Sequence, residues 1–280
     1  MTVNMQIWEI IKAAILGIIE GITEWLPISS TGHLILAEKL LALPYSEEFM
    51  SMFRVVIQLG AILAVVVLYF PRLWPFTTDA RHKYQRPEVW QLWFKILVAT
   101  LPAMVLGLLL DDWLDAHLYN YITVAAMLIL YGVFFILIEN RHRRPTVRKM
   151  DQLTYRHALI IGCWQVLAMI PGTSRSGATI VGGLLLGLAR PVAAEFTFFL
   201  AIPVMAGASG LKLVKFLADG GTFTGGEVAA LALGCAVAFV VSVAAIRFLV
   251  SFVQKHNFKV FGWYRIALGA VVLAAAFLGF

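Results

Sequence analysis

Two short polar segments interrupt an otherwise apolar sequence, and they contain the side chains best suited to chemistry. In the first segment, Glu20 and Glu24 are four residues apart, so on a helix they lie on one face. Paired carboxylates suit Mg²⁺ or Ca²⁺, whose preferred ligands are oxygens. A charged residue at the centre of a membrane helix costs at least about 2.5–3.5 kcal/mol. The pair therefore needs a shared proton, a divalent cation or a nearby arginine, unless the two carboxylates only cap or pack a wet helix end.

Three consecutive hydroxyl side chains, Ser29, Ser30 and Thr31, follow the carboxylates and precede a short apolar stretch. A helix that starts there offers free backbone N–H groups to an anion. Ordinary N-capping needs a single hydroxyl, so the run exceeds that structural requirement. His33 comes next, and histidine exchanges protons near neutral pH. An interfacial histidine that is hydrogen-bonded to the backbone is the structural alternative.

The second polar segment combines an arginine with further hydroxyls between two glycines. Its polar residues are Thr173, Ser174, Arg175 and Ser176. A guanidinium at membrane depth needs an anionic partner. In one interpretation Arg175 pairs permanently with Glu24 or Glu20, and in the other it binds a phosphate through its planar fork. The two interpretations are compatible if a resting ion pair opens when the substrate arrives.

Together the two segments provide the groups that phosphoryl transfer needs. Arginine, hydroxyl and amide donors suit phosphate oxygens, and a cation held by the carboxylates would screen them and polarise phosphorus. Water or a hydroxyl would attack, while His33 or a carboxylate would move the proton. These residues predict phosphoryl transfer by positioning and charge stabilisation, on a lipid phosphate whose tail stays in the bilayer.

The composition is that of an integral membrane protein. Of the 280 residues, 61% are hydrophobic and 14% are charged, against about 45–50% and about 25% in a typical globular chain. These values exclude a disordered chain, a collagen-like fibre and a disulfide-rich secreted domain. The formal net charge is +6, but the basic residues lie in short loops between apolar runs. They therefore indicate membrane topology and no nucleic-acid partner.

Six apolar stretches are long enough to cross a bilayer, which requires about 20 residues. They are Phe49–Phe70, Trp90–Leu110, Leu118–Ile138, Val192–Ala218, Val228–Val253 and Val260–Phe280. Two further apolar regions, 6–43 and 157–190, are each broken by one of the polar segments, and the stretches after the breaks are too short to span. Irregular backbone at membrane depth must be buried in protein or line a cavity. We therefore predict two re-entrant helix–loop–helix hairpins, the alternative being two kinked full spans.

The sequence predicts one polytopic membrane domain, residues 1–280, made of two repeats. Residues 1–140 and 155–280 each hold one hairpin followed by three spans, and an odd number of spans turns the second repeat upside down relative to the first. At an offset of 145 residues, four pairs of positions correspond. They are Gly17 with Gly162, Glu20 with Gln165, Ser29 with Ser174 and Gly32 with Gly177. The pattern predicts an all-α, inverted-topology repeat whose site lies near the membrane midplane, where the broken helices meet.

Loop charges predict the orientation in the membrane. Three loops contain Lys and Arg and are expected to face the cytoplasm. They are 71–89, 139–156 and 254–259. The three loops expected on the outer side contain neither residue, and they are 44–48, 111–117 and 219–227. This alternation places the mouth of the first hairpin on the outer side.

Four stretches resemble the pattern of the undecaprenyl-diphosphate phosphatases, the bacitracin-resistance protein family. They are Glu20–His33 (EGITEWLPISSTGH), Pro171–Thr179 (PGTSRSGAT), Phe53–Gly60 and Ala194–Pro203. The resemblance covers nearly the whole chain. It implies a hydrolase of a phosphoric anhydride, which converts undecaprenyl diphosphate to undecaprenyl phosphate and inorganic phosphate. It also implies recycling of the carrier lipid for peptidoglycan synthesis, and resistance to bacitracin.

The resemblance also implies a setting and a cofactor. The chain would lie in the bacterial plasma (inner) membrane, among membrane lipids, with its active site open to the periplasmic or extracellular side. The cofactor would be a divalent cation, Mg²⁺ or Ca²⁺. A homodimer is one option for its assembly.

The family's substrate-binding residues fall on hydroxyls of both segments and on Arg175. The resemblance implies that Arg175 holds the diphosphate, with Ser174 and Thr31 beside it. The substrate-binding set is Ser29, Thr31, Thr173, Ser174, Arg175 and Ser176.

The residues that carry the reaction itself are also implied by the resemblance. Glu20 and Glu24 would bind the cation, and Glu24 and Arg175 also belong to the catalytic set. Ser30 or a water would be the nucleophile, and His33 the proton carrier. For Arg54, near the outer end of the first span, a structural ion pair is favoured over a role as phosphate ligand.

A polyprenyl-phosphate transporter or flippase is the alternative function, because inverted repeats and broken helices are transporter features. A flippase has no need of Glu20, Glu24 and His33 beside Arg175, so the polar cluster favours the enzyme. A purely structural membrane scaffold would not carry such costly buried groups.

Overall fold

The computed structural model describes residues 3–77, 85–141 and 144–278, without the side chains of 3–7, 111, 112 and 115. Within these ranges the chain is helical, and its β-structure is limited to two isolated bridges, so the all-α prediction is confirmed. The helices are α1 (Val3–Thr23), α2 (Ser30–Leu40), α3 (Glu47–Val56), α4 (Gln58–Leu68), α5 (Phe70–Leu73), α6 (Pro87–Leu118), α7 (Tyr121–Asn140), α8 (Tyr155–Val166), α9 (Arg175–Leu185), α10 (Arg190–Ala218), α11 (Gly225–Lys255) and α12 (Lys259–Phe277).

The six predicted spans are confirmed as helical segments that are long and apolar enough to cross a membrane. They are Glu47–Leu68, Pro87–Leu110, Tyr121–Asn140, Arg190–Ala218, Gly225–Lys255 and Lys259–Phe277. Their ends lie a few residues from the predicted ones, and capping side chains mark the start of three of them. Ser46, for example, accepts a hydrogen bond from the N–H of Phe49 at 3.1 Å. Phe280, the end of the last predicted span, lies outside the described residues, as do parts of two predicted cytoplasmic loops.

Each polar segment breaks a helix, as predicted. α1 ends at Thr23 and the chain restarts as α2, whereas α8 ends at Val166 and passes through a 3₁₀ turn before α9 begins. α2 and α9 have eleven residues each. Helices of this length are too short to cross a bilayer core, which needs about 20 residues.

Two glycines allow the broken helices to approach long helices of the opposite half of the chain. A Cβ on Gly17 of α1 would lie 2.7 Å from the carbonyl oxygen of Gly234 in α11. A Cβ on Gly162 of α8 would lie 2.2 Å from the carbonyl oxygen of Ala99 in α6. Membrane helices associate through small residues of this kind, because apolar surface alone gives no preference for protein over lipid. α1 is thereby fixed to the second half of the chain, and α8 to the first half.

Aromatic side chains fill the space between the two breaks. Phe196, Phe198 and Phe199 of α10 are fully buried. Trp25, from the first break, meets Phe198 edge to face with 5.4 Å between the ring centroids. Such pairs add about 0.5–1.5 kcal/mol to the burial of the rings themselves. These rings belong to the same hydrophobic core as Trp25 and Ile28 of the first break.

An ion pair ties three helices together at the end of α7. The guanidinium of Arg190 donates to both carboxylate oxygens of Glu139, at 2.8 and 2.6 Å. One of those oxygens also accepts the backbone N–H of Phe258, at 3.1 Å. The contact links α7, α10 and the start of α12, and it is separate from the breaks.

Candidate active site

Two helix N-termini with matching caps frame the candidate site. Ser29 caps α2 and Ser174 caps α9, and each hydroxyl accepts a hydrogen bond from the N–H three residues on, Gly32 at 3.3 Å and Gly177 at 3.1 Å. Both serines have left-handed backbones, with φ of 74° and 69°. Such values cost a non-glycine residue energy and concentrate at functional sites. The first amides of both helices have no intrahelical acceptor, so they are available to an anion.

Glu24 and Arg175 form a buried ion pair that joins the two breaks. Nη2 and Nε of Arg175 lie 2.8 and 3.2 Å from the same carboxylate oxygen, Oε1. The Arg175 side chain is 10% exposed and that of Glu24 is 7% exposed. Nη1 of Arg175 donates to the carbonyl of Thr197 at 3.0 Å, and the Trp25 ring centroid lies 5.5 Å from Cζ. The structure thus brings together two of the charges that the sequence singled out.

Three serines complete the polar cluster around this ion pair. Ser30 Oγ donates to Oε2 of Glu24 at 3.0 Å, so each carboxylate oxygen has its own partner. Ser176 Oγ donates to the backbone carbonyl of Glu24 at 3.0 Å and lies 3.1 Å from Ser174 Oγ. A hydroxyl, a carboxylate and a guanidinium therefore form one hydrogen-bonded chain. A nucleophile held by a base has this arrangement.

Glu20 is completely buried, one helical turn before Glu24. Neither of its carboxylate oxygens has a hydrogen-bond partner among the described residues, and the same holds for the Thr173 hydroxyl. Buried polar atoms without partners point to a ligand or ion. The described residues contain no group of three or more His, Cys, Asp and Glu side chains placed to hold a metal. A cation would therefore rely on Glu20, Glu24 and neutral oxygens, which is a donor set that Mg²⁺ and Ca²⁺ accept.

His33 is held by two hydrogen bonds away from the ion pair. Nδ1 lies 2.7 Å from the carbonyl oxygen of Ser29, which can only accept, so Nδ1 carries the proton. Nε2 of the neutral ring then accepts from the hydroxyl of Tyr264 at 2.7 Å. Within the described part of the chain, the ring makes no hydrogen bond to Glu24 or Arg175. Burial lowers the pKa of His33 below its ordinary value of 6.5.

The two further candidates from the sequence are Thr31 and Arg54. Thr31 is half-buried in the first turn of α2, next to Ser30. Arg54 donates from Nε to both oxygens of Glu38, at 2.8 and 2.9 Å, so the structural ion pair favoured by the sequence is present.

The sequence interpretation missed several residues that build the site. Thr197 holds Arg175 through its carbonyl, and Trp25 stacks on the same guanidinium. Arg265 in α12 reaches both breaks. One signal was available for Arg265, because it is a lone charge within a predicted span, which is costly and usually functional. No sequence signal distinguishes Thr197 from the other residues of its apolar helix.

Sequence similarity to known proteins extends over almost the entire chain. Residues 13–271 match the family described as bacitracin resistance protein BacA. A protein of Enterococcus faecalis named undecaprenyl-diphosphatase is 58% identical over 264 residues, which cover 94% of this chain and 95% of the relative. One of the same name from Desulfitobacterium hafniense is 59% identical over 272 residues, or 96% of each chain. Another, from Limosilactobacillus fermentum, is 54% identical, with 95% of this chain and 97% of the relative covered. The chain therefore belongs to the BacA family of bacitracin resistance proteins.

Proposed function

We propose that the protein is an undecaprenyl-diphosphatase, which hydrolyses undecaprenyl diphosphate to undecaprenyl phosphate and inorganic phosphate. One observation carries the proposal. The Glu24–Arg175 pair lies between two helix N-termini, with the Ser30 hydroxyl on the free carboxylate oxygen. The relatives named undecaprenyl-diphosphatase are identical to this chain at more than half of its residues. The reaction releases the carrier lipid of peptidoglycan synthesis in the form that can be used again, and it removes the diphosphate lipid that bacitracin targets.

Substrate binding begins with an exchange of partners at Arg175. The guanidinium forms a planar fork that matches two phosphate oxygens as well as a carboxylate, so the terminal phosphate can replace Glu24. The remaining oxygens of the phosphate can accept hydrogen bonds from the free backbone N–H groups at the starts of α2 and α9. Ser29, Thr31, Thr173, Ser174 and Ser176 lie beside these amides and form the rest of the substrate site.

Displacement of Glu24 frees the base that the reaction needs. Its carboxylate is already hydrogen-bonded to Ser30, so it can accept the proton when Ser30, or a water in its place, attacks the terminal phosphorus. The bond from phosphorus to the bridging oxygen breaks, and undecaprenyl phosphate leaves. If Ser30 attacks, water then hydrolyses the phosphoserine. We assign His33 to carry protons at the mouth of the site, because its neutral ring is already hydrogen-bonded.

We propose a divalent cation, Mg²⁺ or Ca²⁺, as the cofactor. Glu20 and Glu24 would hold it, and the buried, unpartnered oxygens of Glu20 support this assignment. When bound, the cation neutralises charge that builds up on the phosphate oxygens. Glu20 then has a permanent charge partner in a place where an isolated carboxylate is costly.

We propose an inverted repeat with two re-entrant hairpins as the architecture. Three reciprocal features support it: α1 packs on α11 as α8 packs on α6, α7 packs on α12, and both restarts use a left-handed serine cap. The lysine and arginine loops support a site that opens to the outer face of the bacterial inner membrane. A homodimer stays a prediction, which the molar mass of the detergent-solubilised protein tests.

The test is phosphate release from an isoprenyl diphosphate by the purified protein in detergent. The wild type is expected to release phosphate when Mg²⁺ or Ca²⁺ is added, and a chelator should abolish that release. Arg175→Ala should lower kcat by about 10²–10³-fold, because a charge contact made in the transition state is lost. Arg247→Ala, at an exposed arginine of α11, is the matched control and should stay near wild type. No release by the wild type refutes the function, and full activity of Arg175→Ala refutes the site.

A transporter has less support than an enzyme. The relatives are named for phosphatase activity, and the hydrogen-bonded chain of Ser30, Glu24 and Arg175 serves hydrolysis and not passage of a lipid.

A further inference from the structure

Arg265 in α12 is a fully buried arginine to which none of the steps above gives a role. Its exposed fraction is 0%, and no carboxylate among the described residues pairs with it. Removing an unpaired guanidinium from water is costly. The protein keeps this charge in the interior, so its hydrogen bonds must offset the cost.

The hydrogen bonds of Arg265 go to the backbone of both breaks. Nη2 donates to the carbonyl oxygens of Gly172 and Thr173, at 2.8 and 2.9 Å. Nη1 donates to the carbonyl oxygen of Pro27 at 3.2 Å. Carbonyls in irregular backbone at membrane depth have no helical partner, so they need such a donor. The Arg265 side chain therefore donates hydrogen bonds to carbonyl groups of both breaks.

The same guanidinium is anchored to α7. It lies 3.3 Å from the carbonyl oxygen of Met127 and 3.4 Å from that of Leu128, and the ring centroid of Tyr131 is 5.5 Å from Cζ. α7 and α12 touch at Gly132 and Gly262, where a Cβ on either would lie 2.7 Å from the carbonyl oxygen of the other. The two helices thus form a closely packed pair.

Both breaks rest on this helix pair. A Cβ on Gly172, whose φ is +91°, would lie 2.5 Å from the carbonyl oxygen of Val124 in α7. A Cβ on Gly32 would lie 3.0 Å from a methyl carbon of Leu128. Two of the carbonyls that Arg265 binds, those of Gly172 and Thr173, directly precede the strained cap Ser174. The third, that of Pro27, lies two residues before the strained cap Ser29.

We propose that Arg265 is a positioning residue that holds the two breaks in register on the α7–α12 pair. The first break carries Glu24 and Ser30, and the second carries Arg175, so their separation depends on this register. Loss of the guanidinium frees the strained caps to relax and moves the attacking group relative to the bound phosphate. The inference rests on the proposed function only where activity is the readout.

The first test compares two replacements of arginine by lysine. Arg265→Lys keeps a charge but loses the fork that reaches both breaks. We expect kcat to fall about 10–100-fold and KM to change much less, as for misplacement of a reacting group by about an ångström. Arg190→Lys is the matched control, because Arg190 also ties helices together but lies away from the breaks. It should lower thermal stability and leave kcat within about twofold per folded molecule.

The second test does not depend on activity. Hydrogen exchange of the detergent-solubilised protein should speed up in segments 24–33 and 170–177 of Arg265→Lys and stay unchanged there in Arg190→Lys. Unchanged exchange in both segments, or equal loss of kcat in the two variants, overturns the proposal. An inactive wild type would instead refute the proposed function and leave this exchange result to decide.

A pair of variants at Tyr131 covers the case in which Arg265→Lys does not fold. Tyr131→Phe keeps the ring beside the guanidinium and removes a buried hydroxyl that has no partner among the described residues. Tyr131→Leu removes the ring, and with it a cation–π contact. Tyr131→Leu should accelerate exchange in both breaks and lower kcat, whereas Tyr131→Phe should match wild type. Equal exchange rates and equal kcat in Tyr131→Leu and Tyr131→Phe overturn the proposal.

Discussion

Glu24 neutralises Arg175 in the resting site, and this decides which ligands can enter. The pair is buried and each partner has further hydrogen bonds, so an incoming anion must replace those contacts and not merely approach a free charge. A phosphate group can do so, because it offers two oxygens to the fork and more negative charge than the carboxylate. Entry of the substrate and release of Glu24, the proposed base, would then be one event.

Ser30 is the hydroxyl that donates directly to the Glu24 carboxylate, so it is the best placed to transfer a proton to it. Ser30→Ala removes the group on Oε2 of Glu24, and we expect phosphate release to fall by at least about 10²-fold, as when a proton-transfer partner is lost. Steady-state phosphate release in detergent measures the change. Ser209→Ala is the control, since Ser209 is also buried and donates to a backbone carbonyl, that of Val55, at 2.9 Å. Activity of Ser30→Ala close to that of Ser209→Ala contradicts the role.

The pH profile tests His33. Burial lowers its pKa from 6.5 and the charge of Arg265 lowers it further, although the hydrogen bond to Ser29 opposes both, and Tyr264 faces its other nitrogen. Because the pKa is lowered, the neutral ring persists as the pH falls to 6.5, and a reaction that needs it is lost only below that value. We expect kcat/KM to be flat from neutral pH to 6.5. An acid limb centred above 6.5 that disappears in His33→Gln speaks against this assignment.

At the scale of elements, the two breaks are built alike but need different supports. Each ends one helix, turns through a left-handed serine and starts an eleven-residue helix. The incoming helices are then fixed by glycines against α11 and α6, where backbones touch. The breaks can be irregular because the helices on either side of them are held so closely.

The glycine at one of these crossings should be irreplaceable. In Gly162→Ala, the new Cβ would lie 2.2 Å from the carbonyl oxygen of Ala99, so α8 and α6 must separate. We expect a loss of about 1–3 kcal/mol in the free energy of unfolding, as for overpacked cores. Gly207→Ala in α10 is the control, with nothing within 4 Å of the new Cβ, and it should be neutral or stabilising. Thermal unfolding in detergent compares the two, and equal stability would exclude the close crossing.

At the scale of the whole molecule, the polar site depends on contacts between chain segments far apart in sequence. The distribution of lysine and arginine among the loops predicts which end of each span faces the cytoplasm. α11 gives the clearest case, because the loop before it has neither residue and the loop after it has both Lys255 and Lys259.

Cysteines at the two ends of α11 test the orientation. Thr222 and His256 are exposed and flank this helix. In a variant without Cys163 and Cys235, a membrane-impermeant maleimide added to intact cells should label Thr222→Cys at once and His256→Cys only after lysis. Labelling in the reverse order would invert the topology.

Much of this arrangement could be predicted from composition and spacing. Charge, proline and glycine in apolar stretches indicated the spans, both breaks and a candidate ion pair of Arg175 with Glu24 or Glu20, because each departs from what a bilayer tolerates. Which of the two carboxylates pairs with Arg175 was left open. The left-handed backbone at Ser29 and Ser174 could not be predicted, since serine rarely adopts it and tertiary contacts impose it. One of the two partners of His33, Tyr264, lies in α12, 231 residues away, and local sequence cannot indicate it.

The ion pair between the breaks has a genetic consequence. Its acidic member is encoded in the first half of the reading frame and its basic member 151 codons later, in the second. An allele that replaces Glu24 therefore leaves a buried guanidinium without its charge partner in the other half of the protein. Second-site changes that restore the stability of such an allele should map to the codons of α9 and α10, while phosphate release stays lost, so each half of the gene constrains which changes the other can accept.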